Sequence, residues 1–186
     1  RDLFADLAGK AGYTNMAPEP VVQPSGWTMV DGHRVWQGLK KADLVIPARF
    51  EPGEETLPDF RVTDTDASSS AQDVLCHLKR GEKEKRDHLE MACRTLGASF
   101  SPFVVSAAEC SLGPAARAVT ERLAIKLATN WGSNHGIARS WLHVRLAMAV
   151  IRGSSLCLRG RRYHWNREGL HAWAWHHTRG SFLPAG

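Results

Sequence analysis

The sequence has no long apolar run and no closely spaced cysteine pair, and these two absences exclude several classes of protein. The longest apolar stretch, residues 146–151, is far too short to span a bilayer, so we expect no membrane partner. The absence of any CxxC pair argues against a disulfide framework or a zinc ribbon. We therefore expect an intracellular protein in a reducing compartment, with four separate thiols at Cys76, Cys93, Cys110 and Cys157.

The composition is otherwise that of an ordinary globular domain. Of the 186 residues, 43% are hydrophobic and 23% are charged. A chain of this length can bury a sizeable core without disulfides or metals. Because it begins with Arg1 and not with methionine, we expect it to be a piece of a longer polypeptide.

Basic charge is concentrated at the C-terminal end. The net charge is +5, and residues 145–186 contain seven arginines and one acidic residue, which leaves the remainder near neutral. This asymmetry favours a polyanionic partner, although solubility alone explains it equally well. Arg145 and Arg152, seven residues apart, share one face of a predicted helix. The predicted nucleic-acid-binding set is Arg145, Arg152, Arg159, Arg161 and Arg162.

The order of predicted elements is helix, β-hairpin, helix, strand, helix, helix, which indicates an α/β or α+β layered domain. Residues 13–40 are rich in loop-forming proline and glycine. Gly81 divides a helical pattern over residues 71–96, and Gly97 ends it. The other predicted elements are a helix from residue 2 to Gly12, hairpin arms at 41–46 and 59–63, a strand at 100–106, and helices from Pro114 and at 137–152.

Asp43, Asp59 and Lys85 form the most informative set of candidate catalytic residues. Two aspartates at the starts of adjacent strands are expected to lie together at one edge of a sheet. Carboxylates placed in this way are hard ligands suited to Mg²⁺ or Mn²⁺, and a nearby lysine can orient water or stabilise a transition state. The alternative is that the aspartates serve strand starts and turns, while Lys83, Lys85 and Arg86 form a solvated helix face.

Four short motifs carry a resemblance to a known family. They are KADLVI at 41–46, DFRV at 59–62, KRDHL at 85–89 and GASFSPFV at 97–104. In this order and spacing they resemble the restriction-endonuclease-like domain of non-LTR retrotransposons. They are closer still to related segments of reverse-transcriptase-like polyproteins in algae and other protists.

The resemblance implies a PD-(D/E)XK nuclease fold, with a small mixed sheet flanked by helices and a C-terminal helical extension. It implies a core at 1–112, a helical cap at 113–158 and a basic, aromatic tail at 159–186. The implied activity is Mg²⁺- or Mn²⁺-dependent nicking of target DNA, which primes reverse transcription. Asp43 and Asp59 would hold the metal and Lys85 would be the catalytic cation. The implied partners are DNA, element RNA and the reverse transcriptase domain of the same polyprotein, in the nucleus.

The sequence also departs from the family pattern. Arg61 stands where the family has the strand lysine, so the catalytic cation is expected from Lys85 on the helix or from Arg61 itself, with Lys83 as a substitute for Lys85. His88 replaces a tyrosine, and Glu19 is either an accessory acid or a solvated residue before a proline. These departures keep a second interpretation open, in which the domain is a catalytically inactive nucleic-acid-binding or structural module.

Overall fold

A computed structural model describes residues 1–51, 54–65 and 73–160 of the chain, with the backbone alone at 48–51, 54 and 158–160. Arg161, Arg162, the side chain of Arg159 and the tail from residue 163 therefore lie outside the described residues. The helices are α1 (Asp2–Lys10), α2 (Val74–Thr95), α3 (Pro114–Trp131) and α4 (His135–Gly160). The strands are β1 (Ala17–Pro18), β2 (Val21–Gln23), β3 (Gly26–Val30), β4 (His33–Gln37), β5 (Lys40–Lys41), β6 (Leu44–Glu51), β7 (Glu54–Thr63) and β8 (Ser99–Ser106).

A four-stranded mixed sheet with the order β1-β6-β7-β8 organises the first part of the chain. Strands β6 and β7 form an antiparallel pair, as the sequence predicts, whereas β7 and β8 are parallel. A parallel pair needs a crossover connection, and α2 provides it. The expectation of a mixed α/β architecture with helices flanking a sheet is therefore confirmed.

Two hydrophobic cores lie in this part of the molecule. The larger one joins α1 and α3 to the sheet, and Phe4, Phe60 and Phe103 meet in it with ring centroids 5.1 to 5.2 Å apart. The smaller one includes Leu57 of β7 together with Leu89 and Cys93 of α2. Alternate residues of a strand point to opposite faces, so Phe60 enters the larger core while Leu57 and Asp59 point towards the side of α2.

Helix α2 is continuous, so the prediction that Gly81 divides it is wrong. Gly81 is buried within the helix, where a Cβ would lie 3.2 Å from Cγ1 of Val104. The glycine therefore permits close packing of α2 on β8 instead of interrupting the helix. Gly97 does end the helix as expected, because it follows the last capping residue, Leu96, with a φ of +71°.

Residues 13–40 contain five short strands, so the prediction of a loop there is wrong. The most regular part is the hairpin of β3 and β4, in which all five residues of each strand are paired. Asp31 and Gly32 form its turn with φ values of 48° and 79°. Two successive residues with positive φ are what a two-residue hairpin turn requires, and Asp-Gly is a favoured pair for it. The Asp-Gly pair is visible in the sequence, but the nearby prolines favoured the prediction of a loop.

The chain divides into two compact units, Arg1–Val150 and Ile151–Gly186. The larger core of the first unit includes Phe103 and Leu123, which lie on either side of the predicted boundary at residue 112. The predicted boundaries at residues 112 and 158 stay predictions. Within the described ranges, no helix is both long and apolar enough to cross a membrane.

Candidate active site

Asp43, directly before β6, lies beside Asp59 of the neighbouring antiparallel strand β7, and the two carboxyl groups interact. Ile46 of β6 pairs with Thr56 of β7, and each of these two residues lies three positions along the chain from its aspartate. The Asp43 carboxylate is held against β7, where its Oδ2 accepts a hydrogen bond of 2.7 Å from the backbone N–H of Phe60.

The prediction that each aspartate begins its strand is wrong for Asp59. Asp43 directly precedes β6, but β7 begins at Glu54, so Asp59 lies in the interior of its strand. Antiparallel strands run in opposite directions, so their first residues lie at opposite ends of the hairpin. The interior position of Asp59 is therefore what allows the two carboxylates to meet.

Lys85 joins the two aspartates from the helix above the sheet. Its Nζ donates a hydrogen bond to Oδ2 of Asp59 and forms an ion pair with it. Both side chains are largely buried, with 17% of Lys85 and 11% of Asp59 exposed. The structure thus brings together the three side chains to which the sequence assigned catalysis.

The electrostatic environment raises the pKa of Asp59 above the usual value for an aspartate. Burial is the largest cause, and the neighbouring Asp43 acts in the same direction through a hydrogen bond and its charge. Lys85 opposes both effects but does not reverse them. With all three groups ionised, two carboxylates face one ammonium group, so the cluster favours a proton or a further cation.

Cys93 of α2 is close enough to respond to the charge of this cluster. Its pKa is raised to about 11, mainly by burial and also by the charges of Asp59 and Glu90. A thiol with such a pKa stays protonated near neutral pH and is a poor nucleophile. Cys93 therefore acts as a buried apolar side chain near the site and not as a reactive group.

The donor set fits a magnesium ion that completes its shell with water and substrate phosphate. In the part of the chain that the structure describes, no group of three or more His, Cys, Asp or Glu side chains could hold a metal. Mg²⁺ usually keeps several waters and takes only one or two carboxylates from the protein. Two adjacent hard oxygen donors, carrying excess negative charge, match that requirement.

The other candidate site residues of β7 and α2 lie outside this cluster. Lys83 is exposed, whereas Lys85 two residues later contacts Asp59. The Arg61 guanidinium forms an ion pair of 2.5 Å with Glu84 on the protein surface. His88 is exposed, and its backbone carbonyl accepts a hydrogen bond of 2.9 Å from Nζ of Lys40.

Glu19 approaches the site through its backbone only. Its N–H donates a hydrogen bond of 3.1 Å to the carbonyl of Asp43, which links β1 to the start of β6. Its carboxylate forms ion pairs with Arg1 at 2.5 Å and with Lys41 at 3.8 Å. These contacts give the Glu19 carboxylate a role at the surface instead of at the Asp43 carboxylate.

Glu82 is a buried acid that the sequence did not single out. Its Oε1 accepts a hydrogen bond of 2.8 Å from the backbone N–H of Ala115, in the first turn of α3. An acidic side chain at this position satisfies a helix N–H that has no partner within the helix. Because 33 residues separate the two groups, no local pattern could reveal the contact.

Two of the predicted nucleic-acid-binding arginines have described side chains. Arg145 is exposed on α4, with its guanidinium carbon 5.7 Å from the ring centroid of Trp141. Arg152, also exposed, belongs to the second unit. Both side chains are thus available to solvent, as a phosphate contact requires.

Comparison with protein-family models, with curated proteins and with solved structures finds no match to this chain. A functional assignment consequently depends on two sources. One is the geometry of Asp43, Asp59 and Lys85, and the other is the motif resemblance described above.

Proposed function

We propose that this domain is a Mg²⁺-dependent DNA endonuclease with a PD-(D/E)XK-type fold. The observation that carries the proposal is the meeting of Asp43, Asp59 and Lys85 on one side of the sheet. The three residues come from the position before β6, from β7 and from α2, in the chain order that the resembled family uses. These three residues are far apart in sequence and come together only when the chain folds. Unrelated surface charges would have no reason to meet in this way.

Each member of the cluster has a separate role in the proposed reaction. Asp43 and Asp59 would hold the divalent cation, and the hydrogen bond from Phe60 fixes the orientation of Asp43. When bound, the cation would supply charge neutralisation at the scissile phosphate. Lys85 lowers the pKa of Asp59 against the effects of burial and of Asp43, and it would donate a hydrogen bond towards the attacking water or the phosphate oxygens. Asp59 must lose its proton before it can act as a ligand.

The biological setting of the proposal comes from the motif resemblance. In that setting the domain belongs to a retroelement polyprotein, acts in the nucleus and nicks target DNA. The nick leaves a 3′-hydroxyl group that primes the reverse transcriptase domain of the same polyprotein, with element RNA as template. Exposed basic residues such as Arg145 and Arg152 contact the phosphate backbone.

One observation favours the alternative of an inactive binding or structural module. Lys85 already neutralises Asp59, and a buried ion pair of this kind can be retained for structure alone. A binding module would bind DNA in a salt-sensitive manner that Asp43→Ala leaves unchanged, whereas a structural module would have no appreciable affinity for nucleic acid at moderate salt. Added metal ions then cause no cleavage of either DNA strand.

The experiment that tests the proposal is nicking of supercoiled plasmid in Mg²⁺, Mn²⁺ or EDTA. We expect the wild-type protein to convert supercoiled DNA into open circles with either metal and to leave it intact in EDTA. Asp43→Asn and Asp59→Asn should each abolish nicking, because each removes one ligand charge while nearly preserving side-chain volume.

Asp87→Asn is the matched control for these variants. Asp87 lies two residues after Lys85 on the same helix but is exposed, so its amide variant should nick DNA at the wild-type rate. Wild-type protein that shifts DNA in a gel yet nicks none of it with either metal contradicts the proposal. Nicking that persists in Asp59→Asn contradicts the assignment of the site.

A further inference from the structure

The hairpin of β3 and β4 presents large apolar side chains to solvent. Trp27 is 56% exposed, Trp36 55% and Met29 68%. Neither of the two hydrophobic cores includes a residue of this hairpin. An isolated two-stranded hairpin is only marginally stable. Two exposed tryptophans on such a hairpin therefore point to a binding surface.

One face of the hairpin combines flat aromatic rings with a cation. The register pairs Trp27 with Trp36 and Met29 with Arg34, so these four side chains share a face. The two indole rings meet edge to face with centroids 5.4 Å apart. The Arg34 guanidinium carbon lies 5.0 Å from the centroid of the Trp27 ring.

The charge of this segment favours a polyanion over an apolar protein partner. Between residues 26 and 41 there are three cationic side chains, Arg34, Lys40 and Lys41, and one acidic side chain, Asp31. Lys41 is only loosely paired with Glu19, at 3.8 Å. Aromatic faces interleaved with cations are the combination that binds unpaired bases together with their phosphates.

The hairpin projects freely from its base. Among the described atoms outside its own chain neighbours, none lies within 4 Å of the place where a Cβ would stand at Gly26, Gly32 or Gly38. Five residues of strand extend over about 17 Å at the usual rise per residue. Within the described part of the chain, a ligand strand can therefore approach the exposed tryptophans without displacing other residues.

The base of the hairpin is attached beside the candidate active site. Only Ala42 separates β5 from Asp43. Lys40, in β5, donates a hydrogen bond to the carbonyl of His88, which belongs to the helix that carries Lys85. The base of the hairpin thus lies beside the helix that carries Lys85.

We propose that the β3–β4 hairpin binds an unpaired stretch of nucleic acid, whose bases stack on Trp27 and Trp36. Arg34 and Lys40 provide the phosphate contacts. Bases in a duplex are already stacked on one another, so the hairpin prefers single-stranded ligands. The delivery of this strand to a cleavage site rests on the proposed function, whereas the binding itself does not.

The test is fluorescence anisotropy with labelled DNA and RNA oligonucleotides, single-stranded or duplex, in EDTA so that no cleavage occurs. Trp27→Ala and Trp36→Ala should each weaken single-strand binding by about five- to a hundredfold, the range expected from loss of one stacked base. Duplex binding should change less than twofold. Comparison of the DNA and RNA oligonucleotides shows which strand the hairpin prefers.

Three further variants separate stacking from other effects. Trp27→Phe and Trp36→Phe keep an aromatic face and should retain most of the affinity. Met29→Ala removes an apolar side chain from the same face without removing a ring, so it should bind normally. Circular dichroism of each variant confirms that the rest of the fold is intact.

Several outcomes would overturn the inference. One is a Trp27→Ala/Trp36→Ala double variant that binds single strands as tightly as the wild type. Another is an equal loss of duplex and single-strand binding. A third is a wild-type dimer in light scattering that the double variant converts to monomer, since the face would then bind a second copy. A different result separates the two proposals. If the protein does not nick plasmid but still binds single strands through its tryptophans, the proposed function is overturned and this inference stands.

Discussion

The Asp43 carboxylate accepts a hydrogen bond from the backbone N–H of Phe60, at 2.7 Å. This contact joins the residue before β6 to the strand that carries Asp59, and it fixes one carboxylate beside the other. The side chain of Phe60 packs against Phe4 and Phe103 on the opposite face of the sheet. The position of Asp43 is thereby coupled to the larger hydrophobic core, which gives the site a rigid support.

Lys85→Met should lower the nicking rate by about a hundredfold or more, the loss expected when one group that stabilises the transition state is removed. Lys83→Met is the matched control, because Lys83 carries the same charge on the same helix but is exposed. We expect its rate to remain within about twofold of the wild type. The measurement is the initial rate of plasmid nicking at saturating Mg²⁺. A larger loss in Lys83→Met than in Lys85→Met would reverse the assignment of the catalytic lysine.

The pKa of Asp59 should respond in opposite directions to substitution of its two neighbours. Lys85→Met removes the group that lowers the pKa of Asp59, so this pKa should rise further. Asp43→Asn removes a neighbouring negative charge, so the pKa of Asp59 should fall. The carboxyl ¹³C shift of Asp59, followed by NMR against pH without metal, measures both changes. An unchanged pKa in both variants would show that burial alone controls this carboxyl group.

The raised pKa of Asp59 also predicts how stability depends on pH. The native state retains the Asp59 proton at pH values where the unfolded chain has released it. The free energy of unfolding therefore falls as pH rises from the ordinary aspartate pKa through the raised native value. Asp59→Asn cannot titrate and should lack this fall. Urea unfolding of both proteins across that pH range provides the measurement, and parallel curves would contradict the expectation.

Glu82→Ala should reduce the free energy of unfolding by about 1–3 kcal/mol, because it leaves the partly buried N–H of Ala115 without its acceptor. Glu82→Gln keeps an oxygen acceptor and should lose less. Glu84→Ala, two residues later, removes an exposed carboxylate paired with Arg61 and should cost much less than Glu82→Ala, because solvent screens that pair. Urea denaturation ranks the three variants, and an equal loss for Glu82→Ala and Glu84→Ala would exclude the capping role.

Gly81→Leu should destabilise the protein by about 1–3 kcal/mol, since a side chain there must displace Val104. Gly153→Leu is the control in another helix. At Gly153 no described atom lies within 4 Å of the position that a Cβ would occupy. The higher helix propensity of leucine is therefore not offset by a steric clash. Thermal unfolding should show a lower Tm for the first variant and an unchanged or higher Tm for the second. A stabilised Gly81→Leu would mean that α2 does not pack closely on β8.

Local features of the sequence were sufficient to predict most of the long elements. Pro114 at the start of α3, Gly97 after α2 and the alternation in β7 act over a few residues, so they can be recognised without a tertiary structure. The same local view failed at residues 13–40. There, prolines obscured the Asp-Gly turn, and the strands of the hairpin are too short to give a strong periodic signal.

The sequence by itself determined which residue types are available for chemistry. Its motifs singled out Asp43, Asp59 and Lys85, but chain position alone did not distinguish Lys85 from Lys83. Only the tertiary structure shows which of the two lysines contacts Asp59, because the packing of α2 directs Lys85 and not the exposed Lys83 to that carboxylate. The contact of Glu82 with α3 and the exposure of Trp27 and Trp36 were likewise decided by packing between distant segments. Such contacts depend on the three-dimensional arrangement of the elements, on which local sequence patterns carry little information.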